Sequence, residues 1–379
     1  MSLSPEERDE LRSTARTVLS RSSSSEGVRT AISTELGYDP DLWSQIVELG
    51  WTSIHVPEAQ GGAGCGYADL VVVAHELGRA LTPSPFLASA VLATGALVEA
   101  DHVDAATAPL AALVAGESVG AVTFASAAGS YEVDQLGVVW SAEGSTIRLD
   151  GNAGFVLDAD VADVMIVGAR AADGSAAAVL VDPTTQGVQI ERVPSVDLTR
   201  RLFTVTFDDA RTPADSLLAE PGPASARLLD RVLALGVVAA AADAVGAAEQ
   251  ALEMTATYAR ERTQFGKPIG TFQAVKHHCA NMAVNVEASR AATRAAAVEL
   301  DDDPAGWATT ADITASYVGP ACSEVCGLAM RVHGGIGFTW EHDTHLQMKR
   351  VKLDEVLFGS PSWHRRRLAD SAFPSLVKT

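Results

Sequence analysis

Residues 260–279 read RERTQFGKPIGTFQAVKHHC and interrupt two long alanine-rich stretches. Gly266, Pro268 and Gly270 break the helical pattern. Glycine lets the backbone turn or come close to a neighbour, and proline stiffens it. Within the break, Arg262 and Lys267 carry fixed positive charge, Gln264 and Gln273 carry amides, and Phe265 offers an aromatic face. Thr271 is placed to cap the following helix, whose first amides favour an anion. Arginine, amides and a helix start together suit a pyrophosphate. The same parts also make an ordinary helix–helix turn with surface charges, so the residues alone leave both readings open.

The flanks fix the organisation around this corner. Positions 227–260 are apolar nearly all round, the pattern of a helix buried on several sides. Beyond the corner, Phe272, Val275, Cys279, Met282 and Val286 recur at spacings of three and four and predict an inward helical stripe. Two further helices follow, separated by HGGIGF (333–338). Residues 118–218 have a different period. TIRLDG, VADVMIVGA, AAAVLVD, GVQIERV and LFTVTFDD are short, rich in β-branched residues and separated by Gly, Asp or Pro, which predicts antiparallel strands in a small barrel or sandwich. Strands do not alternate with helices, which argues against a doubly wound nucleotide fold. Residues 1–117 are mainly helical, opening on Ser4-Pro5-Glu6-Glu7, a capping serine with proline and acids in the first turn. VPEAQGGAGCG (56–66) lacks the Lys-Ser/Thr ending of a phosphate loop, so its glycines shape a turn. The expected fold is therefore α+β and multidomain: an N-terminal helical domain (1–117), a middle β-domain (118–218) and a C-terminal helical bundle (219–379).

Composition narrows the function classes. The net charge of −20 argues against nonspecific nucleic-acid binding, which needs a basic face. Lys349, Arg350, Lys352, Arg365, Arg366 and Arg367 concentrate positive charge late in the chain and predict a solvated helix face. Asp243 and many small side chains in the apolar run 232–248 argue against membrane insertion, and MSLSPEERDELRS lacks the pattern of a secretory signal, so the expected compartment is the cytoplasm. The four cysteines do not make a disulfide scaffold in a chain of this length, and no converging set of metal ligands stands out. Buried small side chains are the expected role of Cys322 and Cys326.

RTQFGKPIGTFQ (262–273), followed by AVKHHCANM, resembles the signature of the acyl-CoA dehydrogenase family. HGGIGF with WEHDTHL after it resembles the family's second signature, and LGW, VPEAQGG and PSVDLTRRL (194–202) also fit, so the likeness covers nearly the whole chain. The resemblance implies a C-terminal four-helix bundle and assembly as a dimer of dimers. It also implies FAD, an acyl-CoA thioester as substrate and an electron-transferring flavoprotein as oxidant. In such enzymes a glutamate takes a proton from the α-carbon while hydride leaves the β-carbon for the flavin. The resemblance assigns cofactor contacts to Arg262, Gln264, Phe265, Ile269, Phe272, Gln273, Arg331, Gly334 and Gly335. Arg331 stands where many relatives carry glutamine.

Several positions depart from the family pattern. Aligning on HGGIGF places Leu357-Phe358-Gly359-Ser360 at the Tyr-Glu-Gly-Thr-like motif, so Phe358 holds the place of the base. The alternate place, on the helix before the Arg-x-Gln-Phe-Gly corner, is Gly236. Asp243 lies seven residues after Gly236, about 10 Å along the helix axis, and reads as a satisfied structural group. Glu355, three residues before Phe358, is a further candidate. In the β-domain, Thr123 to Ser130 replaces a Thr-Glu-Pro-x-Ala-Gly-Ser-Asp-like loop, and Phe155-Val156-Leu157 replaces a Trp-Ile-Thr-like strand. In the family each flavin lies between two subunits, and this chain keeps the lending half while losing the receiving half. The leading expectation is a subunit of a hetero-oligomer (α2β2) with a homologous second chain, acting in lipid or steroid side-chain catabolism. The alternatives are a self-sufficient homotetramer with a relocated base, and a non-catalytic flavin or acyl-CoA binding protein.

Overall fold

The computed structural model describes residues 2–302 and 306–373. Helices α1 (Pro5–Ser22), α2 (Ser25–Ala31), α3 (Pro40–Glu48), α4 (Tyr67–Arg79), α5 (Thr94–Val98) and α6 (Val103–Ala115) come first. A β-module follows, and then α7 (Pro223–Glu261), α8 (Gln273–Asp302), α9 (Trp307–His333), α10 (Thr344–Asp354) and α11 (Pro361–Ala372). The order is thus an N-terminal helical domain, a middle sheet and a C-terminal helical domain. The chain starts as its sequence predicts: Ser4 accepts from the Glu7 amide, and the Glu7 carboxylate accepts from the Ser4 amide at 2.8 Å. By spatial clustering the chain forms two compact units, one of Ser33–Leu70 and Pro83–Gly236 with the residues up to Leu3, the other of Ser4–Ile32, Val71–Thr82 and Val237 onward.

The first unit is built on one sheet. Its strands are β1 (Gly120–Thr123), β2 (Ala125–Ser126), β3 (Val138–Glu143), β4 (Thr146–Leu157), β5 (Val164–Arg170), β6 (Ala176–Val181), β7 (Val188–Val193) and β8 (Leu202–Pro213). They run in the order β1-β5-β3-β4-β8-β7, with β2 on β4 and β6 on β5. Most pairs are antiparallel, as the short punctuated segments predict. β1 and β5, however, pair in parallel from Gly120↔Val164 to Thr123↔Val167. That contact joins strands far apart in the chain, so no local turn signal announces it. Register shifts between Leu149 and Gly151 and between Ala153 and Val156 bend β4 against β8 and curl the sheet. Ile147, Leu149, Met165, Val167, Val179, Val205 and Phe207 fill the core beneath it. Each buried side chain of the larger kinds contributes roughly 1.5–3 kcal/mol.

The second unit is organised on α7. Of its most apolar window, 94% is buried inside the protein, so its length and hydropathy mark a core helix. Glycine sets how closely α4 crosses it. A Cβ on Gly246 would stand 1.9 Å from the His75 carbonyl oxygen, and one on Gly78 would stand 2.1 Å from that of Asp243. No larger residue fits that backbone-to-backbone crossing. Met282 and Val286 of α8 pack with Val325, Cys326 and Ala329 of α9 and with Ala247, Ala248 and Ala251 of α7. Cys322 and Cys326 are fully buried there, and burial pushes both thiols up, Cys322 to about 12. They act as small apolar side chains.

The predicted stripe on α8 holds only from Met282 onward. Phe272, Val275 and Cys279 are half-exposed, so among the described residues the first turns of α8 are only partly covered. Thr271 does not cap α8: its hydroxyl donates to the Pro268 carbonyl at 2.7 Å, and the helix begins at Gln273 after the extended Phe272.

A charged network joins α1, α4, α7 and α8. Arg16 grips Glu76 through two bonds of 2.9 Å, and Arg290 holds Glu249 at 2.9 Å. His75 stands between the acids, with Nδ1 3.1 Å from Glu76 and Nε2 2.9 Å from Glu249, the latter off the line of a good hydrogen bond. Burial penalises the His75 cation, but the two carboxylates outweigh it and raise its pKa above 6.5. Burial likewise raises Glu249, while His75, Arg290 and Arg79 pull it down to about 2. The His75 contribution is therefore complete below its unfolded pKa and lost as pH rises through the higher folded value. The Glu249 contribution is complete above its unfolded pKa, near 4.5, and lost as pH falls toward about 2. In denaturant titrations across pH, Glu249→Gln is expected to flatten the acid limb between pH 4.5 and 2, and His75→Gln to flatten the alkaline limb above pH 6.5.

Candidate functional site

The corner between α7 and α8 folds as a short hairpin. β9 (Thr263–Gln264) pairs antiparallel with β10 (Lys267–Pro268), and the Ile269 amide donates to the Arg262 carbonyl at 2.8 Å. The two loop residues, Phe265 and Gly266, have φ of +52° and +78°. Two successive positive φ values make a type I′ turn, which normally takes Asn-Gly. A bulky residue there costs about 1–2 kcal/mol. Phe265 nevertheless occupies it and is 91% exposed. Its ring meets Phe272 edge-on at 6.1 Å, and the Lys267 ammonium lies 4.6 Å from the Phe272 ring centroid. The chain thus holds an aromatic ring out in solvent at a conformational cost, on a hairpin braced from behind.

The second cluster begins where α9 ends. Gly334 leaves the helix at φ +64°, and Gly334–Phe338 form a 3-10 turn. His333, just before it, is buried and stacks on Tyr258 with centroids 4.6 Å apart. Tyr258 sits one turn before Arg262, whose amide donates to its carbonyl at 2.8 Å. The structure therefore brings the hairpin and the glycine turn together at one end of the second unit. Gln264, Phe265, Gln273, Arg262, Arg331 and Gly335 are exposed, and Ile269, Phe272 and Gly334 are half-buried. Among the described residues, Arg262 and Arg331 meet no carboxylate, and the side-chain amides of Gln264 and Gln273 take no hydrogen bond. A Cβ on Gly335 would touch nothing of its own chain. The missing side chain answers no internal need and leaves the backbone open to something from outside. Free cations, free amides, an exposed aromatic face and an open glycine turn fit a dinucleotide.

The position of the family's base is different in kind. Phe358 is 5% exposed and lines a cavity of about 20 Å³ with Ala240, Ala241, Ala244, Gly319 and Glu355. That volume holds about one water. The main chain here is firmly held: His364 Nε2 donates to the Phe358 carbonyl at 3.1 Å, and its Nδ1 lies 2.6 Å from Asp312, which Arg367 also binds at 3.1 Å. Asp243 is not a free carboxylate. Arg350 binds both its oxygens at 2.8 Å, and both residues are buried. Arg350 thus leaves the solvated basic face predicted for the late cations, because a buried aspartate requires it. Glu355 receives Ser323 at 2.5 Å and Lys352 at 2.7 Å, both on Oε2.

In the first unit, the loop from Thr123 to Ser130 turns part of its polar groups on itself, while the buried Thr123 hydroxyl meets no hydrogen-bond partner among the described residues. Ser126 Oγ accepts from the Ser130 amide at 3.1 Å, and Ser130 Oγ donates to Gln135 at 2.8 Å. Leu157 is buried and has no hydroxyl to offer, and Phe155 is held at φ +55° beside Gly129. Leu157 and Phe155 thus offer apolar side chains, whereas the hairpin and the glycine turn offer cations, amides and open backbone.

Two family models match the chain: the acyl-CoA dehydrogenase N-terminal domain over residues 5–117 and the acyl-CoA dehydrogenase C-terminal domain over residues 227–373. The acyl-CoA dehydrogenase IpdE2 of Mycolicibacterium smegmatis is 35% identical over 370 residues, covering 97% of this chain and 99% of the relative. The chain belongs to the acyl-CoA dehydrogenase family. Two solved relatives, each 28% identical, share the fold of this acyl-CoA dehydrogenase. A variant of the Tcur3481–Tcur3483 steroid ACAD superposes with a TM-score of 0.89 over 98% of this chain and 99% of its own. The ChsE4–ChsE5 complex from Mycobacterium tuberculosis gives 0.87 over 100% and 99%.

Sequence reasoning missed Tyr258, Arg350 and His364 as parts of this acyl-CoA dehydrogenase's site framework. Tyr258 carried a faint signal, an aromatic one turn before the corner; the other two act through contacts distant in the chain. Asp243→Ala is expected to destabilise the fold by about 3–5 kcal/mol, since it strands the buried Arg350 cation. The check is a urea unfolding midpoint. Lost turnover at unchanged stability would instead mark Asp243 as the base.

Proposed function

We propose that this chain is the subunit of a hetero-oligomeric acyl-CoA dehydrogenase that lends cofactor contacts, while a homologous second chain supplies the catalytic base. One observation carries the reading. Among the described residues Arg262 and Arg331 face outward and meet no carboxylate, the amides of Gln264 and Gln273 take no hydrogen bond, and the position of the base is a buried phenylalanine. Support comes from the two relatives named as two-chain assemblies, one of them a steroid ACAD. The substrate class that fits is an acyl-CoA thioester of a lipid or steroid side chain, with FAD as cofactor, α2β2 as the assembly and an electron-transferring flavoprotein as oxidant.

The chain's own residues divide the work of holding the cofactor. Arg262 and Arg331 would meet pyrophosphate oxygens with charge-assisted hydrogen bonds. Gln264 and Gln273 would offer amide donors and acceptors to the same ligand, and Phe265 a face for stacking, with Ile269 and Phe272 behind it. Gly334 and Gly335 would let it approach the backbone closely. FAD, when bound, supplies the acceptor for the substrate's hydride. The proton at the α-carbon must go to a carboxylate within hydrogen-bond reach, and Phe358 offers none.

Purified alone, the chain is expected to carry little FAD and no dehydrogenase activity. Co-purified with its partner, it is expected to show one FAD per two chains by native mass measurement. Arg262→Ala should weaken FAD retention in that complex on the order of 10- to 100-fold, the worth of a hydrogen bond to a charged group. A homomer with one FAD per chain and full turnover would overturn the reading.

One observation favours a second reading, a self-sufficient enzyme with a moved base: Glu355 lines the same cavity as Phe358. On that reading Glu355→Gln would abolish turnover of the lone chain. On the reading preferred here, the active complex keeps its rate with Glu355→Gln.

A further inference from the structure

We infer that Thr344 is a positioning residue: its hydroxyl latches the Gly334–Phe338 turn in the shape that meets the cofactor. The inference rests on the function proposed above for that turn. Thr344 is the first residue of α10 and is 1% exposed. Its hydroxyl reaches back seven residues and donates to the Gly337 carbonyl at 2.8 Å. Gly337 is the buried residue of the turn, and a Cβ there would stand 3.0 Å from both the His333 side chain and the Met330 carbonyl oxygen. The inner side of the turn is therefore pinned, and the outer side at Gly335 is open.

A stack of rings backs the latch. His342 Nδ1 lies 3.3 Å from the Thr344 amide and 3.0 Å from its hydroxyl oxygen. The His342 ring lies 4.5 Å from that of His333, which stacks on Tyr258 and donates from Nδ1 to the Ala329 carbonyl at 2.8 Å. From Thr344 through His342 and His333 to Tyr258, one continuous packed path links the glycine turn to the root of the hairpin. An anchor for α10 alone would need a bond to its own first turn. This hydroxyl bonds the preceding turn instead, at its buried residue.

The test is amide hydrogen exchange on the full chain, comparing wild type with Thr344→Val and Thr344→Ser. Valine keeps the shape and removes the hydroxyl, and is expected to speed exchange at residues 334–338 by about 3- to 10-fold, the worth of one hydrogen bond. Serine should restore wild-type rates, and the buried amides of α8 beyond Met282 should not change. His342→Ala, which keeps the hydroxyl but removes its backing, should move the same amides by a smaller factor. FAD retention by the complex should weaken in parallel with the turn's exchange. Unchanged exchange in Thr344→Val, a rise spread over the whole chain, or no rescue by serine would overturn the latch. Exchange needs no flavin, so that failure stays distinct from failure of the functional reading, which shows as a wild-type complex without FAD.

Discussion

The geometry of the second unit hangs on one buried ion pair. Asp243 lies in an alanine-rich helix with no other charge near it in sequence, and Arg350 meets both its oxygens. Taking two charges out of water costs several kcal/mol per ion, which good bidentate geometry can offset and a poor fit cannot. The pair therefore tolerates little sliding of α10 along α7. Both ends of α10 matter for the site: the glycine turn precedes it and Phe358 follows it. Fixing the middle of the helix fixes both.

The exposed hairpin shows the opposite economy. Within a core, favourable burial justifies strain; at the hairpin, strain accompanies exposure. Phe265 keeps a left-handed backbone with most of its ring in water, and Arg262 and Arg331 keep their charges unpaired among the described residues. An isolated fold gains nothing from any of these. Collected at one end of one unit, they fit the role proposed for this surface, which would meet a ligand from outside the chain.

Much of this was legible in the sequence, and the limits have physical causes. The all-round apolar pattern of 227–260 identified a core helix because burial on every side leaves no polar face. The punctuated β-branched segments identified a sheet, but the β1–β5 parallel pair is non-local and local patterning is blind to it. Spacing on α8 marked Phe272, Val275 and Cys279 as inward, yet periodicity reports which face is apolar and not whether the same chain covers it. The hairpin and the glycine turn could be read as turns because Gly266 and Gly334 take positive φ. The roles of Arg350 and His364 could not be read, since their partners lie on other helices. Thr271 looked like a cap by position, and lost that role because α8 begins at Gln273, which puts the extended Phe272 at the helix start.

The anchoring of residue 358 has a broader meaning. His364 grips that residue by its carbonyl, and Asp312 with Arg367 steadies the imidazole. What is fastened is the peptide, which every amino acid shares, so this hydrogen bond does not depend on the side chain displayed there. The backbone grip at this position therefore survives any change of side chain that the surrounding cavity can hold.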